Sequence, residues 1–246
     1  MNGGVEWVEP EWPAPRRARV LSTLRPGGVS EGSYASLNLA AHVGDDAARV
    51  QQNRRRLHRA AGLPCEPLWL EQVHGCEVAE VDGRAGMPRA DAAFVAGPGR
   101  VCAVMTADCL PVVLVDHAGT RIAAAHAGWR GLASGVVEAT IAALGGNPAD
   151  LIAWLGPAIG QGAFEVGPEV RQAFIGRLPG AEMCFERNQQ GRFQADLYAL
   201  ARIVLARAGI ESVHGGGWCT ATDAARFFSY RRDGVTGRMA TLAWLE

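Results

Sequence analysis

No stretch of this chain approaches the ~18 uninterrupted apolar residues that a membrane-spanning helix requires. Its apolar segments are strand-length or carry charges. The opening MNGGVEWVEPEWPAPRRARV has neither the basic start nor the apolar run of a secretion signal. An excess of charge is also lacking. With 24 basic and 25 acidic residues the net charge is −1, which argues against non-specific binding to nucleic acid, since that needs a concentrated basic face. The short cluster Asn53-Arg54-Arg55-Arg56 reads mostly as a solvated helix face. The cysteines (Cys65, Cys76, Cys102, Cys109, Cys184 and Cys219) form no C-x-x-C pair. Reduced thiols in a cytoplasmic protein are the simplest expectation. No long linker, low-complexity tract or internal repeat appears, and nothing signals an oligomeric state.

What is present suits a folded core, with 48% hydrophobic and 20% charged residues. We expect an N-terminal segment at 1–18 and a single catalytic domain at 19–246. A strand at 19–24 ends in the turn Arg25-Pro26-Gly27-Gly28, and an ordered Gly-rich loop follows. Asp45-Asp46 cap a helix over 47–62, closed by Gly62 and Pro64. Pro67 to Asp82 alternates like a strand, with His74-Gly75 interrupting it. The runs 92–96, 101–106, 111–115 and 121–126 are nearly all apolar, which suits strands covered on both faces. A helix at 131–144, a strand at 151–155, helices at 168–176 and 195–208, and a last strand at 239–244 complete the reading. Strands that cluster in hairpins as well as alternating with helices favour a mixed-sheet α+β fold over a doubly wound parallel sheet.

Three residues carry the chemistry: His74 in EQVHG, Cys109 in TADCLP and His126 in AHAGWRG. Two imidazoles and a thiolate can hold zinc with a fourth position open, the ligand count of a catalytic site. The segment 111–125 reads as a hairpin with a two-residue loop at His117-Ala118. That register places Cys109 directly opposite His126, where Cβ atoms lie about 4.5–5.5 Å apart. A slip of one residue would put them on opposite faces. Spacing alone does not bring His74 to this pair.

The motifs EQVHG, TADCLPVVLVD, AAAHAGWRG, LGPAIG and FFSYRRDGVTGRMA, in that order, resemble the YfiH family, also called the laccase-domain or multicopper polyphenol oxidase-like family. The resemblance covers about residues 20–245. It implies a single-domain, four-layer α/β/β/α sandwich with mixed β-sheets, related to the cytotoxic necrotizing factor (CNF) type of cysteine hydrolase. It also implies a zinc site at His74, Cys109 and His126. Members are similar in the phosphorolysis of adenosine, inosine, guanosine and methylthioadenosine and in the hydrolytic deamination of adenosine. A role in bacterial peptidoglycan editing has also been attached to the family.

The lead expectation is therefore a zinc-dependent purine nucleoside enzyme whose partners are purine nucleosides and phosphate. Asp108 could act as general base or orient a metal-bound histidine, or simply cap a turn. Arg130, near a helix start, suits phosphate or base. Asn38 and Gln72 could bind sugar or base, and Arg54 is a further phosphate candidate. Phe228 and Tyr230 read as core packing. Three alternatives stay open. Cys109 and His126 could serve a metal-free cysteine hydrolase or deamidase as nucleophile and base. The same three ligands could hold copper, as in a polyphenol oxidase, although six histidines are too few for the copper sites of a true laccase. A structural zinc would need a fourth ligand such as Cys76 or His42.

Overall fold

A computed structural model of the protein describes residues 4–83 and 86–246. In chain order the elements are β1 (Trp7–Val8), β2 (Ala18–Thr23), α1 (Ala47–Ala61), β3 (Val78–Glu80), β4 (Ala92–Ala96), β5 (Val101–Thr106), β6 (Leu110–Asp116), β7 (Arg121–Ala127), α2 (Trp129–Ser134) and α3 (Val136–Leu144). They continue with β8 (Leu151–Leu155), β9 (Glu165–Val166), α4 (Pro168–Ile175), β10 (Phe185–Arg187), β11 (Phe193–Ala195), α5 (Leu197–Arg207), β12 (Ser212–Gly215), α6 (Tyr230–Asp233) and β13 (Met239–Leu245).

The fold is α+β with a mixed sheet, as expected. Six strands run in the order β12-β8-β6-β7-β4-β3, with β12/β8 and β3/β4 parallel and the other pairs antiparallel. A second, antiparallel sheet has the order β1-β2-β13-β5. Side chains alternate across each strand, and both faces of the six-stranded sheet are buried. Val113, Val115, Ile122 and Trp154 pack against Val20, Val104 and Ala243 of the second sheet. Val112, Leu114 and Ala125 pack against Leu132, Val136, Leu200 and Val204 of the helices. This two-sided burial explains why 111–115 reads as an unbroken apolar run. The far face of the second sheet buries Leu21, Ala103 and Leu242 against Leu57 of α1 and Leu37 and Leu39 of the preceding loop.

Helix α1 forms where its caps predict. The Asp46 side chain accepts from the Ala48 and Arg49 N–H groups, and Gly62 closes the helix in the left-handed conformation. Its basic cluster is less solvated than expected. Asn53 is fully buried and donates to Ser30 Oγ and to the carbonyls of Ser36 and Asn38. Arg54 lies 4.0 Å over the Trp69 ring and donates to the Leu39 carbonyl. The helix expected at 131–144 is two helices, because Gly135 at φ 103 breaks it.

The hairpin register also differs from the expectation. His126 faces Pro111, and Ala127 faces Leu110. The connection is longer than two residues because the Asp116 carboxylate accepts from Thr120 N, Thr120 Oγ1 and Arg121 N, closing a turn over 117–120. The resulting shift is two residues. It keeps Cys109 and His126 on the same face and makes them diagonal rather than direct neighbours.

Candidate metal centre

Cys109 stands just before β6, and His126 lies near the end of β7. What brings His74 to them is Asp91, the residue before β4, which is fully buried. Asp91 Oδ1 accepts from His126 Nδ1 at 2.8 Å and from His74 N at 2.9 Å. Oδ2 accepts from Gly75 N at 2.7 Å and Val73 N at 3.1 Å. Three successive N–H groups converge on one carboxylate, a concave anion-binding backbone that turns His74 to φ 61. The Asp91 carbonyl also takes the His126 N–H at 2.7 Å. One side chain therefore joins an exposed turn to a buried strand.

The donor atoms of His74, Cys109 and His126 all lie within 4.8 Å of one another. Cys109 Sγ is 3.8 Å from His74 Nε2. Tetrahedral zinc bond lengths would place sulfur and nitrogen about 3.5 Å apart, so the spacing fits that ion with little adjustment. Since Asp91 occupies His126 Nδ1, Nε2 is the nitrogen left for a metal, the usual second-shell arrangement. Gly128 leaves room for the cluster: a Cβ there would sit 2.7 Å from Cys109 Sγ and 3.1 Å from His74 Cδ2. Neither Cys76 nor His42 belongs to the group of close donors.

Without metal, the cluster holds a thiolate beside an imidazolium. Burial pushes the Cys109 thiol up, but the charge of His126 and hydrogen bonds from both histidines outweigh it and bring the pKa down to about 6. Burial pushes His126 down, while the Cys109 thiolate and Asp91 raise it to about 9. Burial also opposes ionisation of Asp91, yet His126 and the backbone N–H groups hold its pKa below the ordinary carboxylate value. A cation bound by Cys109 and His126 would take the place of the shared proton.

The cluster opens into a cleft of about 540 Å³, within the usual range for small-molecule sites. A family model described as "Multi-copper polyphenol oxidoreductase laccase" matches residues 19–246. The chain belongs to this YfiH, or laccase-domain, family. It is 55% identical over 241 residues to the "Purine nucleoside phosphorylase" of Pseudomonas aeruginosa, covering 98% of both proteins. It is 52% identical to "Purine nucleoside phosphorylase YfiH" of Escherichia coli K12, covering 97% of this chain and 98% of that one. A Neisseria meningitidis crystal structure superposes with a TM-score of 0.94 at 50% identity, over 98% of this chain and 99% of that one. YlmD from Geobacillus stearothermophilus gives 0.91 at 31% identity, over 98% and 96%.

Within this laccase-domain chain the expected site residues fall into different places. Arg130 is exposed on the cleft wall, with its guanidinium 4.6 Å over the Trp129 ring. Gln72 also lines the cleft, but its amide exchanges two hydrogen bonds with the Met105 backbone. Asn38 and Arg54 lie outside the lining. Asn38 is fully buried, bonding Ala40, Asp45 and the Arg238 N–H. Asp108 borders the cleft at φ 91 with both carboxylate oxygens engaged. It accepts from Thr220 Oγ1 at 2.6 Å, Ser229 Oγ at 3.0 Å and Arg231 N at 2.6 Å, so it anchors the Cys109 loop to the start of α6. Phe228 is fully buried as expected, whereas Tyr230 is 61% exposed at the cleft. Sequence reasoning missed Asp91 and two residues of the cleft lining, Thr106 and Arg238. Each stands beside an apolar strand or at its end, the one weak signal that could have drawn notice.

Proposed function

We propose that the chain is a zinc-dependent purine nucleoside phosphorylase, acting on adenosine, inosine, guanosine and methylthioadenosine. The observation that carries this reading is the His74–Cys109–His126 cluster, spaced for zinc at the wall of a nucleoside-sized cleft. The names of the Pseudomonas and Escherichia relatives supply the substrate class. In phosphorolysis a phosphate oxygen bonds to ribose C1′ as the C1′–N9 bond breaks. The bonding pair leaves with the purine, which takes up a proton. Zinc, when bound, supplies a Lewis acid that can polarise an oxygen ligand. The chain's part is to place the reactants: Asp91 fixes the His126 ring, Gly128 leaves room at the cluster, and Trp129 and Tyr230 offer apolar faces to a base. Helices on the outer faces of the two packed sheets support the four-layer α/β/β/α description. Six free cysteines suit a reducing, cytoplasmic setting.

Two further readings have a specific observation behind them. Three ligands leave a fourth position open, which suits hydrolytic deamination of adenosine at the same site. Cys109, His126 and Asp91 also form a nucleophile–base–carboxylate series, which suits a metal-free cysteine hydrolase related to the CNF type. The family's description favours copper only as an alternative ion for the same ligands.

Metal analysis with product identification, after incubation with adenosine and phosphate, separates these readings. We expect stoichiometric zinc, adenine and ribose 1-phosphate. Inosine would indicate deamination. Neither product, with zinc present, would defeat the proposal.

A further inference from the structure

Two groups on the cleft wall keep hydrogen-bonding capacity that the described residues do not use. Thr106 ends β5. Its hydroxyl is buried and makes no hydrogen bond, and the residue lines the cleft with 2% exposure. A buried hydroxyl without a partner is costly, so this one calls for a ligand atom. Arg238 immediately precedes β13, whose first residue, Met239, pairs with Thr106. The register thus brings Arg238 and Thr106 to one corner of the cleft. Arg238 Nη1 donates to the Thr236 and Gly237 carbonyls at 2.9 and 3.0 Å. Its Nε and Nη2 meet no protein acceptor among the described residues; Asp108 and Cys109 favour its charge without forming an ion pair with it, and the guanidinium lies 5.9 Å from the Tyr230 ring centre. Asn38 Oδ1 fixes its backbone N–H at 3.0 Å. Arg130, Arg231 and His42 line the same cleft.

We propose that Arg238 and Thr106 form an oxyanion subsite whose occupant is the phosphate group: inorganic phosphate entering and the phosphate of ribose 1-phosphate leaving. The proposal rests on the phosphorylase reading. A nucleoside is neutral and gives a half-buried cation nothing to neutralise, whereas phosphate does. The free edge of the guanidinium matches phosphate oxygens in a fork, and the Thr106 hydroxyl can donate to another.

The test uses the zinc-loaded full chain, equilibrium dialysis with labelled inorganic phosphate, and competition by ribose 1-phosphate. KM is measured separately for phosphate and for inosine. Arg238→Gln should weaken phosphate binding by about tenfold or more, the usual scale for a charge-assisted bond. Arg238→Lys should recover part of the loss. Thr106→Val should weaken phosphate about threefold or more, and should raise the melting temperature in phosphate-free buffer because it removes the orphaned hydroxyl. Zinc content and the KM for inosine should stay unchanged. Native-like phosphate affinity in both variants, no phosphate binding by the native chain, or an inosine KM rising in step would overturn the subsite. Competition by ribose 1-phosphate is expected; none would limit the subsite to free phosphate and overturn the product half of the proposal. Arg238-dependent phosphate binding without any ribose 1-phosphate formed would sink the phosphorylase reading and leave the subsite standing. If Arg238→Gln fails to fold, Thr106→Val, which keeps the side-chain shape, decides the outcome.

Discussion

Asp91 Oδ1 lies 2.8 Å from His126 Nδ1 while the same carboxylate holds the backbone of the turn that carries His74. Two of the three candidate ligands therefore depend on a side chain that would touch no metal. Replacing Asp91 with Ala strips the acceptor from four donors at once. Zinc affinity should fall on the order of 10–100-fold, and stability by about 3–5 kcal/mol, the cost of breaking a buried charged pair. Chelator competition and urea unfolding measure the two effects. Unchanged affinity would mean that the turn places His74 unaided.

Gly128→Ala tests the room left for the cluster. The added methyl would overlap Cys109 Sγ at 2.7 Å, and overpacking of this kind costs about 1–3 kcal/mol. Zinc content and phosphorolysis should both drop. A variant with full zinc would show that the Cys109 loop can yield.

The metal-free protein should show an unusually reactive Cys109. A thiolate is the nucleophilic form, so iodoacetamide labelling should rise with pH around a midpoint near 6, following the lowered pKa. Zinc should protect the residue. Peptide mapping by mass spectrometry separates it from the other cysteines, and a midpoint near 9 would refute the ion pair.

The linkage signs of that pair oppose each other. Cys109, lowered to about 6, adds stability above its unfolded pKa, and this is lost as pH falls through about 6. His126, raised to about 9, adds stability below its unfolded pKa, and this is lost as pH rises through about 9. Between those values the folded and unfolded pairs each hold close to one proton, so the pair's net contribution should hardly vary with pH. The Cys109→Ser protein should lose this balance. The part of the His126 raise that Asp91 supplies would then stand unopposed, so calorimetry should show stability falling as pH rises above the unfolded histidine value of about 6.5, a slope absent from the native apoprotein.

Asp108→Asn distinguishes an anchor from a base. An amide cannot accept all three of the hydrogen bonds that reach Asp108, so stability should fall by about 1–3 kcal/mol. If anchoring is its role, kcat should fall less than the roughly 10²–10⁴-fold expected on losing a general base.

The strands were legible as short apolar runs and the Cys109–His126 neighbourhood as a hairpin pairing, because both are local patterns. The register was misread because Asp116 closes a longer turn through its side chain, which no alternation pattern reveals. The face survived because the shift was an even number of residues. His74 was legible only through the family resemblance, since its partner Asp91 is a lone carboxylate before an apolar strand and looks like any cap. Asn38, Gln72 and Arg54 are polar residues in motif-bearing segments, but they hydrogen-bond to backbone and, for Asn38, also to the Asp45 carboxylate. That commitment is a property of tertiary packing, and composition does not record it. The break at Gly135 is similar: glycine inside a helical pattern signals weakness, yet only the packed chain decides whether the helix continues.

The strand nearest the C-terminal end, β13, lies between β2 and β5 at the centre of its sheet, and Asp108 is tied to Thr220, Ser229 and Arg231. On the ribosome, β2 and β5 thus wait for a strand that emerges after the other described strands. A half-made chain carries two unsatisfied strand edges, a state open to aggregation. Its Cys109 loop also hangs without its anchor. Maturation of the centre is thereby tied to chain made well after its own three ligands.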